Sequence, residues 1–386
     1  ADALHSIGLT QLVATPLYFG CREWYYAWIA VAKQQFGLTI TSITHWWAPV
    51  KVRVSGDRSV RGQLRQREDG TLQCDFPKRI VLIANHQLYT DWTYLWWAAY
   101  SSSRHGTLCI VLKDSIKYIP VLGTGMMLYG FIFLTRDWKK DKAKFQHRLR
   151  QLNGVSCRWM SGTQALRPVW LLIFPEGTNL CAGARSSSTR WANRNNITDL
   201  RHTLLPRSTG LRFCLSELRS TIDYMYDCTV AYEGVPQGHY GEDVFTLRST
   251  YLSGQPPRCV HMHWRRFAVE DIPTGDSKAF SDWLLARWRE KDDLLDYYGR
   301  NGRFPSDEED VMLDTNGNKA AAVATMAVGN GYIDTTVRLR STLELLQLVG
   351  PLLSLSIACF LVFMCTSRDA VQIAHGDSPP WSDARL

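Results

Sequence analysis

Arg79-Ile-Val-Leu-Ile-Ala-Asn-His-Gln-Leu-Tyr-Thr-Asp91 decides the fold class, because the apolar run RIVLIA passes directly into a polar loop that ends where a helix can begin. A continuous apolar run of this length suits a strand covered on both faces, since neither face then meets water. Pro168–Phe174 repeats the pattern, with VWLLI leading into Phe174-Pro175-Glu176-Gly177-Thr178. Thr107–Leu112, Gly130–Leu134 and Asp227–Tyr232 read as further buried strands, and 92–104, 138–153 and 208–220 read as helices between them. This alternation predicts an α/β fold, a mainly parallel sheet flanked by helices. Loops that follow such strands gather at the carboxyl edge of the sheet, where α/β proteins build their sites.

The loop residues are chemically pointed. His86 leaves a strand, and Asp91, five positions on, can meet it across one tight turn. A carboxylate on one imidazole nitrogen fixes the tautomer and leaves the other nitrogen to take a proton, although a histidine that merely caps a helix would look the same. Glu176 and Gly177 read either as site residues or as a turn acid and a positive-φ glycine. The third strand, Gly130-Phe-Ile-Phe-Leu-Thr-Arg136, delivers a guanidinium to the same edge after Lys113 and Lys117, and guanidinium suits bidentate phosphate recognition. Six more Lys/Arg between 139 and 150 face lipid headgroups or simply solvent.

Working outward, 386 residues allow one large catalytic domain with appendages, or two domains. With 21% charged residues and 27 Gly plus 15 Pro, neither disorder nor a collagen-like repeat describes the chain. The aromatic load and the net charge of +8 favour a membrane interface and anionic ligands, and no nucleic acid partner is expected. Ten scattered cysteines without a CxxC pair indicate reduced, mostly buried thiols. Leu345–Cys365 is uncharged and about the length that spans a bilayer core, so 343–366 is a candidate transmembrane helix. Residues 1–50, apolar in pieces and rich in Trp and Tyr, predict an interfacial or re-entrant helical segment, with amphipathic helices covering the core as the alternative. The expected organisation is that segment, an α/β catalytic domain over 51–298, a flexible connector over 299–342, the transmembrane helix over 343–366 and a tail over 367–386.

Four motifs in order resemble one family: Asn85-His86 to Asp91, Phe133 to Arg136, Phe174 to Thr178, and Val235-Pro236 within AYEGVPQG. They are similar to the lysophospholipid and glycerol-phosphate acyltransferases, over roughly residues 35–300. HTLLPRSTGLRFCLSEL (202–218) and HMHWRRFAVEDIP (261–273) more specifically resemble the lysocardiolipin and lysophosphatidylinositol branch, of a fungal type. The resemblance implies that His86 is a general base for the acceptor's hydroxyl, with Asp91 orienting it. It implies that Arg136, Glu176, Gly177 and Thr178 hold the acceptor's phosphate and glycerol, with Asn85, Phe133, Val235 and Pro236 completing the substrate-binding surface. Acyl-CoA is the implied co-substrate, with no other cofactor, an anionic lysophospholipid the acceptor, and the membrane bilayer the third partner. The implied location is the endoplasmic reticulum membrane, the catalytic domain facing the cytosol. Asn179 departs from the family, in which a basic residue commonly follows Glu-Gly-Thr, so Arg136, Arg185 or Arg190 would have to meet the phosphate. No GxSxG elbow or HExxH motif is present, and His261 and His263, without nearby Cys or acidic ligands in the sequence, are expected to be structural, with no metal bound. A catalytically silent lipid-binding scaffold and an acyl-CoA or phospholipid hydrolase are the alternatives.

Overall fold

In the computed structural model RIVLIA and VWLLI are neighbouring parallel strands with every residue buried, and the rest of the sheet is built outward from them. The structure describes residues 7–8, 10–12, 15–120, 122–157, 164–306 and 331–348, together with 350 and 356. The strands are β1 (Lys51–Gly56), a hairpin of β2 (Leu64–Gln66) and β3 (Leu72–Cys74), β4 (Arg79–Ala84), β5 (Leu108–Lys113), β6 (Ile132–Leu134), a hairpin of β7 (Val155–Cys157) and β8 (Gln164–Leu166), β9 (Val169–Ile173), β10 (Tyr224–Tyr232), β11 (Cys259–Ala268) and β12 (Ile333–Thr336). The main sheet has the order β12-β1-β11-β10-β4-β9-β5-β6. β10, β4, β9, β5 and β6 run parallel, so their carboxyl ends share one edge. β11 returns antiparallel to β10 and pairs in parallel with β1.

Among the described residues the longer helices are α1 (Arg22–Trp47), α2 (Asp91–Ser101), α3 (Trp138–Leu152), α4 (Ala182–Arg194), α5 (Ser208–Leu218) and α6 (Ser277–Asn301). α5 shows the reason such segments fold as they do. Its buried residues Leu211, Cys214, Leu215 and Leu218 fall at i, i+3, i+4 and i+7, one apolar stripe facing the core. α6 starts at Asp276, whose carboxylate accepts from Lys278 N at 2.6 Å and Ala279 N at 2.9 Å, and ends at Gly302 in the left-handed region at φ 67. Cys21, Cys74, Cys109, Cys181, Cys214, Cys228 and Cys259 are free thiols, and of these all but Cys21 and Cys181 are buried.

Two expectations need correction. Within the N-terminal region the interfacial reading gives way to the alternative over much of its length: α1 is one continuous 26-residue helix, and buried residues from Ile29 to Thr44 pack it into the protein. Two polar residues within it are buried and bonded to other parts of the protein. Lys33 Nζ donates to Leu108 O at 3.1 Å, and Gln35 Nε2 donates to the carbonyls of Gln347 and Leu348 at 3.0 and 3.1 Å. Phe19, Trp24, Trp46 and Trp47 nevertheless stay exposed. The connector over 299–342 is likewise not all connector. β12 pairs antiparallel with β1, and Arg53 meets the Asp334 carboxylate through two hydrogen bonds of 2.7 Å, so this stretch closes the sheet's edge. Among the described residues no helix is long and apolar enough to cross a membrane. The candidate span Leu345–Cys365 lies largely outside the described residues, which include only 345–348, 350 and 356 of it.

Candidate active site

β4 ends at Ala84, and the chain leaves the sheet through Asn85 and His86 into a turn that α2 closes at Asp91. Asn85 is fully buried; its Nδ2 donates to Val230 O and its Oδ1 accepts from Val230 N, both at 2.8 Å. It clamps β4 to β10 and is not the substrate contact that the motif suggested.

His86 Nδ1 lies 2.8 Å from Asp91 Oδ2. Asp91 is fully buried, and the same oxygen accepts from Gln87 N at 2.6 Å and Leu88 N at 3.0 Å, while the Tyr232 hydroxyl donates to Oδ1. A carboxylate surrounded by donors can only accept, so the imidazole hydrogen sits on Nδ1 and the Nε2 lone pair is left open. Nε2 has no hydrogen-bond partner among the described residues, and the His86 side chain keeps 20% of its surface exposed. The Phe174 ring stacks on the imidazole at 4.3 Å, so strand ends β4 and β9 fix the ring from two sides.

Glu176 is 2% exposed, and both its oxygens are spent on backbone: Oε1 accepts from His86 N and Oε2 from Leu204 N, each at 3.2 Å. Burial pushes its carboxyl up to about 8, while those two N–H groups and the Lys291 ammonium pull the other way. Glu176 therefore ties the His86 and Leu204 loops together. Leu180 N completes the tie by donating to His86 O at 2.8 Å. The 201–204 loop is itself pinned by Asp292 of α6, which accepts from Arg201 N, His202 N and Thr203 N at 2.8, 2.7 and 3.0 Å.

Arg136 sits at positive φ (70) beyond β6 and donates to Gly177 O. Gly177 has φ 73, and a Cβ there would meet the Arg207 side chain at 3.5 Å, so two guanidiniums converge on the Glu-Gly turn. Burial and the Arg207 charge hold Arg136 below the usual arginine range. Such a pair of forks is suited to phosphate. Arg207 was missed as a site residue, though LLPRSTG was the signal. Thr178 is half-buried beside it, with its hydroxyl 3.5 Å from Asn179 Oδ1.

Other candidates fall elsewhere. Phe133 is 5% exposed and belongs to the core. Val235 packs partly against the core and Pro236 is exposed, both just past the end of β10. Arg185 is committed to Leu200 O, Arg201 O and Thr203 O at 2.7 to 3.0 Å, and Arg190 bonds within its own helix, so neither replaces the family's basic residue. Lys117 is paired with Asp114 at 2.7 Å, while Lys113 stays exposed at the end of β5. His263 Nδ1 contacts Ser55 Oγ at 2.9 Å. His261, contrary to the expectation from linear sequence, has both a cysteine and an acid beside it, Cys259 and Glu233.

Comparison with known proteins identifies the family. Residues 51–233 match the acyltransferase family and residues 250–327 match the acyltransferase C-terminus family. An uncharacterized acyltransferase of Schizosaccharomyces pombe is 34% identical over 92% of this chain and 91% of its own length. The 2-acyl-1-lysophosphatidylinositol acyltransferase of Saccharomyces cerevisiae is 37% identical over 72% of this chain and 76% of its own length. Lysocardiolipin acyltransferase 1 of Gallus gallus is 31% identical over 75% of this chain and 68% of its own length. On these matches the chain belongs to the acyltransferase family.

Proposed function

We infer that the protein transfers an acyl chain from acyl-CoA to the free hydroxyl of an anionic lysophospholipid, of the lysophosphatidylinositol or lysocardiolipin class. The observation that carries this reading is the open Nε2 of His86, held by Asp91 at 2.8 Å, on the same sheet edge as the Arg136 and Arg207 guanidiniums. His86 Nε2 takes the hydroxyl proton as the alcohol oxygen attacks the thioester carbonyl. The C–S bond then breaks, and the coenzyme thiolate leaves with the proton that His86 returns. A positioned base of this kind is worth roughly 10²–10⁴-fold, and a thioester needs no covalent enzyme intermediate. Arg136 and Arg207 match a headgroup phosphate. The relatives' named substrates, lysophosphatidylinositol and lysocardiolipin, support that choice of acceptor.

Membrane attachment belongs to the same proposal, most simply at the endoplasmic reticulum. It rests on the uncharged run Leu345–Cys365 and on exposed apolar residues at Phe19, Trp24, Tyr118, Ile119, Leu122 and Met127. Acyl transfer by purified protein across a panel of lysolipids tests the reading. Anionic lysophospholipids should be preferred, and Arg136→Ala should raise the apparent KM for lysolipid far more than that for acyl-CoA. Release of coenzyme at the same rate with and without lysolipid would instead mark a hydrolase.

A further inference from the structure

β11 begins Cys259-Val260-His261, and strand alternation puts the first and third of these side chains on one face. β10 runs antiparallel beside it with Tyr232 opposite Val260, so Glu233 lies across from Cys259, its N–H donating to Cys259 O at 2.9 Å. The sheet register thus brings a thiol, an imidazole and a carboxylate together, and one ligand atom from each lies within 4.8 Å of the others. His261 is 3% exposed, yet among the described residues neither ring nitrogen has a hydrogen-bond partner. A buried imidazole with both nitrogens unused calls for a reason.

We propose that Glu233, Cys259 and His261 bind one thiophilic divalent cation of the zinc class, with water in the fourth position. The donor set is a borderline-soft one, S, N and O, the combination that zinc takes in tetrahedral sites. Zinc distances of about 2.0–2.3 Å bring ligand atoms to within roughly 3.3–3.8 Å of each other, so the site closes by about 1 Å. Glu233 is exposed and supplies both that closure and the route of entry. Thiolate plus carboxylate gives two negative charges for a dication. The nearby Arg53 does not oppose it outright, because its guanidinium is already neutralised by Asp334 at 2.7 Å. The Tyr298 ring meets the imidazole edge-on at 4.9 Å and holds its plane. Zinc takes the thiolate, so binding displaces the Cys259 thiol proton.

The location gives the site a role. Glu233 immediately follows Tyr232, whose hydroxyl holds Asp91, so a cation here pins the end of β10 on which the catalytic pair leans. The test uses the full chain in detergent, stripped with chelator and titrated with Co²⁺. One equivalent should raise a thiolate-to-cobalt charge-transfer band with tetrahedral d–d bands, and one equivalent of Zn²⁺ should abolish them. Cys259→Ser should lose the charge-transfer band, and His261→Ala should weaken Zn²⁺ by at least about 100-fold, since losing even an outer-shell partner costs roughly 10–100-fold. Glu233→Gln alters only an exposed side chain and keeps the test decisive if the buried variants fold poorly; it too should weaken binding. Cys21→Ser should change nothing. Absence of the bands, or bands that survive Cys259→Ser or Glu233→Gln unchanged, would overturn the proposal. The readout does not use acyl transfer, so it stands or falls apart from the proposed activity.

Discussion

Two carboxylates in this protein are fully buried near the β4–β10 seam, Asp91 and Asp227, and their surroundings differ in one respect. Asp227 faces Lys291 at 2.6 Å and Arg265 at 2.8 Å. Lys291 also donates to Cys228 O and Thr229 Oγ1 at 3.0 Å, and Arg265 reaches Glu290 and Arg287 O, so this network is closed. Burial pushes the Asp227 carboxyl up, but the two cations together hold it below the usual carboxylate range. Asp91 has equally good donors, yet its partner His86 keeps one nitrogen unengaged and part of its surface open. A closed network fixes β10 against α6. An open one has a proton to move. Burial alone therefore does not separate a structural carboxylate from a catalytic one; the unspent valence of its partner does.

The contrast breaks most directly at His86. His86→Ala should cut kcat by roughly 10²–10⁴-fold with the unfolding temperature near wild type, because the side chain lies on a loop at the sheet edge. Retention of more than about a tenth of the turnover would end the general-base role. At the closed network the effect should move from rate to stability. Asp227→Ala leaves Lys291 and Arg265 buried without their acid, which should cost about 3–5 kcal/mol in denaturant unfolding, while the folded fraction keeps most of its kcat. A large kcat loss with unchanged stability would show that the network takes part in chemistry.

Tyr232→Phe sharpens the comparison from within the open site. It removes one of Asp91's donors and nothing else, and should lower kcat about tenfold, the equivalent of about 1.4 kcal/mol, with KM for lysolipid unchanged. A separate, pH-dependent test concerns Glu176, whose folded-state carboxyl is raised to about 8. Its contribution to stability is complete below the ordinary carboxyl range and is lost as pH rises toward the folded-state value, so stability should fall between about pH 4.5 and about pH 8 and level off above that. Glu176→Gln should flatten that fall; an equally steep curve for the variant would assign the dependence to another group.

Much of the site was legible because its parts are short-range. The strands RIVLIA and VWLLI are continuous apolar runs since helices cover both faces, and His86 to Asp91 spans one turn. What escaped reading depends on partners far along the chain. Asn85 and Glu176 look like site residues in sequence, and only Val230, Leu204 and His86 N reveal that their polar atoms are used up. Asp292 looks like one acid on a charged helix, yet it pins the loop that holds Glu176. The first fifty residues looked apolar only in pieces partly because of Lys33, whose acceptor, Leu108 O, lies far along the chain. β12 is a short, polar run that acquires meaning only beside β1.

The pairing of β1 with β11 also sets a schedule for synthesis. Lys51 sits opposite Cys259, so the first strand of the sheet emerges from the ribosome about 208 residues before its parallel neighbour exists. At roughly 5–20 residues per second that is a wait of about 10–40 s. Meanwhile β4, β5, β6 and β9 can pair among themselves, leaving the Val52 and Val54 side chains without their final cover and the strand's backbone without a ladder. Long-range parallel pairing of this kind is intrinsically slow and exposes an edge to wrong partners. The nascent chain should therefore depend on holding factors until β11 arrives, and truncations that end before Ala268 should aggregate rather than fold.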